Sequence, residues 1–375
     1  VRNDYLEPRT DVPALRDWST EMILTEAATG VRTATVLTVV SPAVAVALLV
    51  WLPSAPGTVA AAVVLILFGL LTAFTPIVSR LETAPRRRGL LDGPWRRCPA
   101  AVAVQEDGEA YDRLIVTTPD GETLVLRGVL APFPRVVAHR QEAFLCGPDG
   151  DGRAVLRVAG LLRMASAKVD PRPARAREPE PLVPGGRPLD DPGVAGAYRG
   201  FRWGTRLWLY PIVIAGCGLA LVTLAVRPLA VPGLVVGALL LAVAAYSTPT
   251  IVAFVRWYAE AIAGLHAARE WSPVPITMLP WGPGQEVAGL AQLPGGMALV
   301  RFPYPQPDVV ANVSDTGTLW LAGAGTGAVA VGVPGVPVLA FCVVSPDSDT
   351  PVEDPPPWLL RTNDPVLDRI PTLRR

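Results

Sequence analysis

Lysine is almost absent from this chain of 375 residues: Lys168 stands alone against 32 arginines. Histidine occurs twice and cysteine four times, and acids and bases balance to zero formal charge. That balance excludes the basic field needed to neutralise nucleic-acid phosphates, so no nucleic acid is expected as a partner. Cys98, Cys146, Cys217 and Cys342 form no CxxC pair, and they read as isolated apolar thiols rather than metal ligands. Arginine in place of lysine, with abundant Ala, Val, Gly and Pro, is the composition of a GC-rich genome such as that of a high-GC bacterium. A basic-then-apolar leader is missing too. Asp4, Glu7, Asp11, Asp17, Glu21 and Glu26 crowd the first 30 residues, so no cleavable signal is expected, and the first apolar helix serves as the insertion signal.

Charge is missing from four long runs. Two lie in 33–79, separated by Pro53-Ser54-Ala55-Pro56-Gly57, and two more are Leu207–Val226 and Leu229–Val255. Each has about 20 residues, enough for a helix of ~30 Å, the thickness of a hydrocarbon core. None of the four contains Asp, Glu, Lys, Arg or His, which counts against an ion-coupled transporter. Arg80, Arg86-Arg87-Arg88 and Arg96-Arg97 follow the first pair. By the positive-inside rule this cluster is cytoplasmic, and both termini lie on that side. Arg86, Arg87, Arg88, Arg96 and Arg97 have two readings, a topology determinant or a contact for anionic lipid headgroups. Trp203, Trp208, Tyr210, Trp257 and Tyr258 fall where an aromatic belt would sit. Gly233-x-x-x-Gly237, continued by Ala238 and Ala242, permits close helix packing, with packing inside the monomer preferred over dimerisation.

The remaining segments are of two kinds. Residues 98–167 and 271–345 are short Val/Leu-rich runs cut by Pro and Gly, the pattern of a small barrel or sandwich. In the first, strands are expected at Val102–Gln105, Arg113–Thr117, Thr123–Val129, Arg135–Ala138, Ala143–Cys146 and Ala154–Val158, with a short closing helix over Leu161–Ala167. Residues 168–200, rich in proline, read as an extended or disordered linker, and 346–375 as a disordered tail. A juxtamembrane helix continues the fourth span through 256–270. In the N-terminal segment 1–32, Pro13–Thr29 reads as a short helix capped by Asp11, with Leu15, Trp18 and Met22 on one face. That face suits either the membrane surface or the protein's own soluble part.

The chain also repeats itself. Thr75-Pro76 matches Thr248-Pro249, and Pro132-x-Pro134-x-Val136-Val137-Ala138 matches Pro305-x-Pro307-x-Val309-Val310-Ala311, both at an offset of 173. Pro119-x-Gly121-x-x-Leu124-Val125 matches Pro294-x-Gly296-x-x-Leu299-Val300 at 175, and Pro56-Gly57 matches Pro232-Gly233 at 176. Four matches in one order imply a tandem duplication. The expected fold is an α+β membrane protein with four transmembrane helices as two hairpins, each followed by a small β-rich cytosolic domain.

Chemistry is sparse. His139 and His266 lack metal-site spacing, Gly323-x-Gly325-x-Gly327 lies between two expected strands rather than opening a helix, and Asp149-Gly150-Asp151-Gly152 lacks an EF-hand's further ligands. No catalytic, cofactor or metal residue is assigned and no cofactor is expected. Pro355-Pro356-Pro357-Trp358-Leu359-Leu360 reads as either a polyproline ligand or a solvated tail. The sequence points to a multi-pass inner-membrane protein without enzymatic activity, a scaffold or assembly component that presents the edges or loops of two β domains to a protein partner. The competing reading is a passive channel or small-molecule transporter acting as a homo-oligomer, with hydroxyls such as Thr72, Thr75, Ser247 and Thr248 lining its path.

Overall fold

The computed structural model describes residues 5–28, 31–51, 56–104, 112–129, 132–179, 186–226, 231–279, 287–303, 305–323 and 325–346. The expected tail therefore lies outside the described residues almost entirely. In chain order the first elements are α1 (Trp18–Ala28), α2 (Val31–Trp51), α3 (Pro56–Glu82) and a single turn, α4 (Ala84–Arg87). The first barrel follows, with β1 (Arg96–Val102), β2 (Asp112–Thr117), β3 (Thr123–Val129), α5 (Phe133–Arg140), β4 (Glu142–Cys146), β5 (Arg153–Arg157) and β6 (Ala165–Val169). After α6 (Pro192–Trp203) come the second long helix pair, α7 (Leu209–Val226) and α8 (Val231–Ala267). The second barrel comprises β7 (Ser272–Met278), β8 (Val287–Leu293), β9 (Gly296–Phe302), α9 (Pro307–Thr316), β10 (Thr318–Ala322), β11 (Gly327–Val333) and β12 (Val336–Pro346). The chain divides into two compact units. Residues 27–81 and 202–256 form one, and the two barrels with their flanking segments form the other.

Helices α2, α3, α7 and α8 are long and apolar enough to cross a membrane. Their outward faces carry exposed Leu70, Leu71, Phe74, Leu239 and Tyr246. Their contacts run through small residues. A Cβ at Gly237 would stand 2.8 Å from the Gly218 carbonyl oxygen, and one at Gly233 would stand 2.8 Å from the Ala225 Cβ and 2.9 Å from the Gly57 carbonyl oxygen. Without side chains at these points, backbones approach closely enough for dispersion to hold the bundle where lipid offers no hydrophobic drive. Gly233 and Gly237 thus both face neighbouring helices of the same chain.

Each barrel is six antiparallel strands closed on themselves. The first has the order β1-β2-β3-β6-β5-β4 and the second β7-β8-β9-β12-β11-β10, which is one topology twice. Two three-strand meanders join edge to edge, and a helix (α5 or α9) carries the chain from one meander to the other. The duplication is therefore a repeat of architecture. Closure has a consequence for partner binding: neither sheet leaves an unpaired edge strand, so β-augmentation is not open to them and only loops remain of the two modes expected from sequence.

Several expectations need correction. The P-x-P-x-V-V-A segments, expected as strands, are helices. Proline occupies the first turn of each, where its missing N–H costs nothing, and Phe133, Val136 and Val137 are buried at helical spacing, as are Val309, Val310 and Val313. Gln141 (φ 54°) ends α5 and Gly317 (φ 66°) ends α9 in the left-handed conformation. Leu161–Ala167 forms no closing helix; its second half begins strand β6. Strand β1 lies at Arg96–Val102, ahead of the Val102–Gln105 expected, because Cys98, Ala100 and Val102 supply the buried alternation. The 175-residue match is one residue out of facing register. Leu124 points into its barrel while Leu299 points out, and Leu126 and Arg127 correspond to Val300 and Arg301. A slip of one residue exchanges the two faces of a strand.

The expected linker is partly folded. Arg177 donates its backbone N–H to Val102 and Val104 donates to Arg175, which extends β1. Further on, the Asp191 carboxylate accepts from the Gly193 N–H (2.8 Å) at the start of α6 and from the Gly335 N–H (2.6 Å) in the β11–β12 turn. At the N-terminus the cap is Asp17 rather than Asp11: Asp17 accepts from the Thr20 N–H at 3.0 Å, while Asp11 pairs with Arg9. Trp18 and Met22 are buried in the barrel core, so the apolar face of α1 packs on the protein itself.

Candidate functional site

The outer wall of the first barrel carries a cavity of about 490 Å³, in the size range of small-molecule sites (roughly 300–1,000 Å³). Arg88, Arg113, Arg127, Arg153, Lys168 and Arg172 line it, and among the described residues no carboxylate does. Strand pairing explains the convergence. Arg127 of β3 stands directly opposite Lys168 of β6, which stands directly opposite Arg153 of β5. A residue row across adjacent strands shares one face, so these three cations form an outward-facing ladder. Like charges placed directly opposite one another are destabilising. Arg113, nearly buried, sits where the β2–β3 register shifts between Asp112 and Leu114, beside Gly128 (φ 83°). Such a bulge re-aims the side chains around it. Arg88, one residue past α4, completes the wall.

One described carboxylate, that of Asp170, bonds a cation of the cavity wall. Asp170 accepts from Arg172 Nη2 (2.9 Å), Arg172 Nε (3.2 Å) and the Arg172 backbone N–H (3.1 Å). These bonds, led by the side-chain one, hold its carboxyl at about 2. Among the described residues no ion pair engages Arg88, Arg127, Arg153 or Lys168.

The second barrel shows what this place looks like without such charge. The row equivalent to Arg127–Lys168–Arg153 is Arg301–Val343–Ala328. The residue equivalent to Arg113 is Ala288, paired opposite Arg301. A barrel of this topology closes with Arg301 as the one cation of the four and apolar residues at the other three positions, so Lys168, Arg153 and Arg113 are not a requirement of the fold.

Of the five arginines singled out in the sequence, only Arg88 reaches the cavity. Arg86 and Arg87 are exposed on α4. Arg96 donates to the Gly147 carbonyl and lies 3.9 Å from Asp120. Arg97 is paired with Glu142 (2.8 Å) and with Glu7 (3.8 Å). The other cavity cations are scattered from 113 to 172 in sequence, and only strand pairing collects them. The signal that would have found them is the repeat itself, read for positions where one copy is charged and the other apolar.

A second set of polar groups joins the two barrels. Asp308 at the start of α9 accepts from the Leu162 N–H (2.7 Å) and from Arg163 Nε (3.0 Å). Burial raises its carboxyl while Arg163 opposes that. Asn312, one turn on, accepts from the Leu6 N–H (2.9 Å) and donates to the Gly160 carbonyl (2.7 Å). These positions match Arg135 and His139 in the first copy, so the duplicates have diverged into two sides of one interface. Asp315, further along α9, is pushed up to about 6 by burial and then by Asp17 and Glu7. A carboxyl raised in the fold from ~3.9 contributes stability that is complete below pH ~4 and gone above the folded value. Asp170 acts in the opposite sense, with its contribution complete above ~4 and lost as pH falls toward 2. Thermal denaturation should therefore show stability falling by roughly 1–3 kcal/mol between pH 4 and 6, and Asp315→Asn should flatten that slope.

The remaining sequence candidates stay apart. His266 hydrogen-bonds Tyr198 at 2.8 Å. Trp257 and Tyr258 pack on Phe341 of the second barrel. Asp149 accepts from the Asp151 and Arg153 N–H groups of its own turn. Gly323 directly follows β10 and Gly327 opens β11. Burial raises the thiols of Cys98 and Cys146, the latter to about 12, which removes their nucleophilic form. Among the described residues no group of three or more His, Cys, Asp or Glu side chains converges as a metal site would require. Comparison with protein-family models, with curated proteins and with solved structures returns no match, so the reading rests on the geometry alone.

Proposed function

We propose that this protein is a non-enzymatic docking platform of a bacterial inner membrane, with both barrels in the cytoplasm. The observation that supports this reading is the joining of two closed barrels by buried bonds from Asp308 and Asn312. Two independent modules on a chain need no such interface. A platform that offers a partner one composite surface does. The loops at the barrel ends, Pro119-Asp120-Gly121 and Pro148–Gly152 among them, are the surfaces available to a partner once the edges are closed.

The competing reading of a passive channel finds less support. The Thr72 hydroxyl bonds the Gly69 carbonyl and Thr38, and Ser247 and Thr248 both bond the Ala244 carbonyl. Hydroxyls satisfied by their own helices offer little to a permeating solute. The test of the platform is in-cell photo-cross-linking from Asp120, Asp151 and Gly295. One protein should be recovered from positions on both barrels, and recovery of no specific partner from any position counts against the reading.

A further inference from the structure

We propose that the cavity on the first barrel is a binding site for a phosphate-bearing anion. Six cations line it; Asp170 is hydrogen-bonded to Arg172, and among the described residues no ion pair engages Arg88, Arg127, Arg153 or Lys168. A monocarboxylate would leave most of the charge of those four unanswered, whereas a phosphate dianion or diphosphate matches it. Arginine forks present paired N–H donors that fit phosphate oxygens two at a time. The ladder Arg127–Lys168–Arg153 is a directly opposed row of like charges, which carries a cost in the empty protein that an anion removes. The duplicate barrel, with Val343 and Ala328 in the same row, carries no such cost. A site maintained against its own repulsion in one copy only is better explained by a ligand than by folding. The one lysine of the chain stands at the ladder's centre.

Phosphate of this kind comes from a soluble metabolite or from a lipid headgroup, and the two are separable. The full chain in a nonionic detergent is unfolded thermally with pyrophosphate, with soluble short-chain phosphatidylglycerol, and with chloride at matched ionic strength. At least one phosphate-bearing probe should raise Tm by about 2–4 °C or more, while chloride does not. Response to pyrophosphate assigns a soluble ligand, and response to phosphatidylglycerol alone assigns a headgroup. Lys168→Gln and Arg127→Gln, both at exposed positions, should each lose most of the shift, and in the absence of probe each should unfold at the same or a higher temperature than the unaltered chain. Arg301→Gln, at the same place on the second barrel, should keep the shift. No response to either phosphate probe, an equal response to chloride, or a full shift in both Lys168→Gln and Arg127→Gln overturns the proposal.

Discussion

Asp17→Ala is expected to destabilise the barrel unit by about 3–5 kcal/mol, the cost of leaving a buried charge without its partner. Asp17 and Arg157 are both fully buried and meet at 2.9 Å. Arg157 Nη1 also donates to Ser19 Oγ (2.7 Å) and Thr20 Oγ1 (3.1 Å), and the Trp95 indole N–H donates to Thr20 Oγ1 at 3.0 Å. The cluster pins the start of α1 to β5 and to the residue that precedes β1. Burial lowers the Arg157 pKa from its usual value, and the Asp17 carboxylate opposes that. Removing the carboxylate leaves a guanidinium in a dry site that already satisfies neither Nε nor Nη2. Replacing Asp17 and Arg157 together by Leu and Met should recover most of the loss, since a buried pair and an apolar pair of like volume are often close in stability. Chemical denaturation followed by tryptophan fluorescence checks both. A cost below ~1 kcal/mol for Asp17→Ala would mean that water reaches the site.

Asn312→Ala is expected to cost about 2–4 kcal/mol and to change the shape of the transition. It strands two buried backbone groups at once, the Leu6 N–H and the Gly160 carbonyl. Both belong to the N-terminal segment and first barrel, while Asn312 belongs to the second. The barrels should then unfold in separable steps where the unaltered chain unfolds in one. Calorimetry of the full chain in detergent reads this directly. A single unchanged transition would show that the apolar contacts alone hold the barrels together.

The four apolar helices and the duplication are legible in the sequence because each rests on a strong local signal. An uncharged run of span length admits few structures, and the turn prolines and glycines recur in order. The helices α5 and α9 were not legible as helices. Val-Val-Ala has high strand propensity, and the deciding feature is tertiary: the chain must cross from one meander to the other, and the buried face of Phe133, Val136 and Val137 needs helical spacing. Strand register was hidden for a related reason. A match of Pro, Gly, Leu and Val identities does not report which face each residue occupies, and the β2–β3 turn, with five residues between the paired Thr117 and Thr123, is one longer than its counterpart between Gln292 and Met297. The cationic cavity was illegible because its residues come from four strands and two connecting segments. The arginine run that does stand out in sequence is largely occupied elsewhere, with Arg97 on Glu142 and Arg96 on the Gly147 carbonyl. Asp17 was visible only as one acid among six near the N-terminus, and nothing local distinguishes it from Asp11.

The central claim is that one unit, a membrane hairpin followed by a barrel, occurs twice with the same orientation. Two spans return the chain to the side it left, and the bonds from Asp308 and Asn312 require both barrels on one side of any bilayer the helices cross. The most direct test labels single cysteines in intact cells with a membrane-impermeant maleimide. The positions are 54 and 229 in the two hairpin connections and 120 and 295 in barrel turns, in a chain whose own four cysteines are replaced. The account predicts labelling at 54 and 229 and none at 120 and 295 until the membrane is opened. Labelling of one barrel position but not the other in intact cells would contradict it.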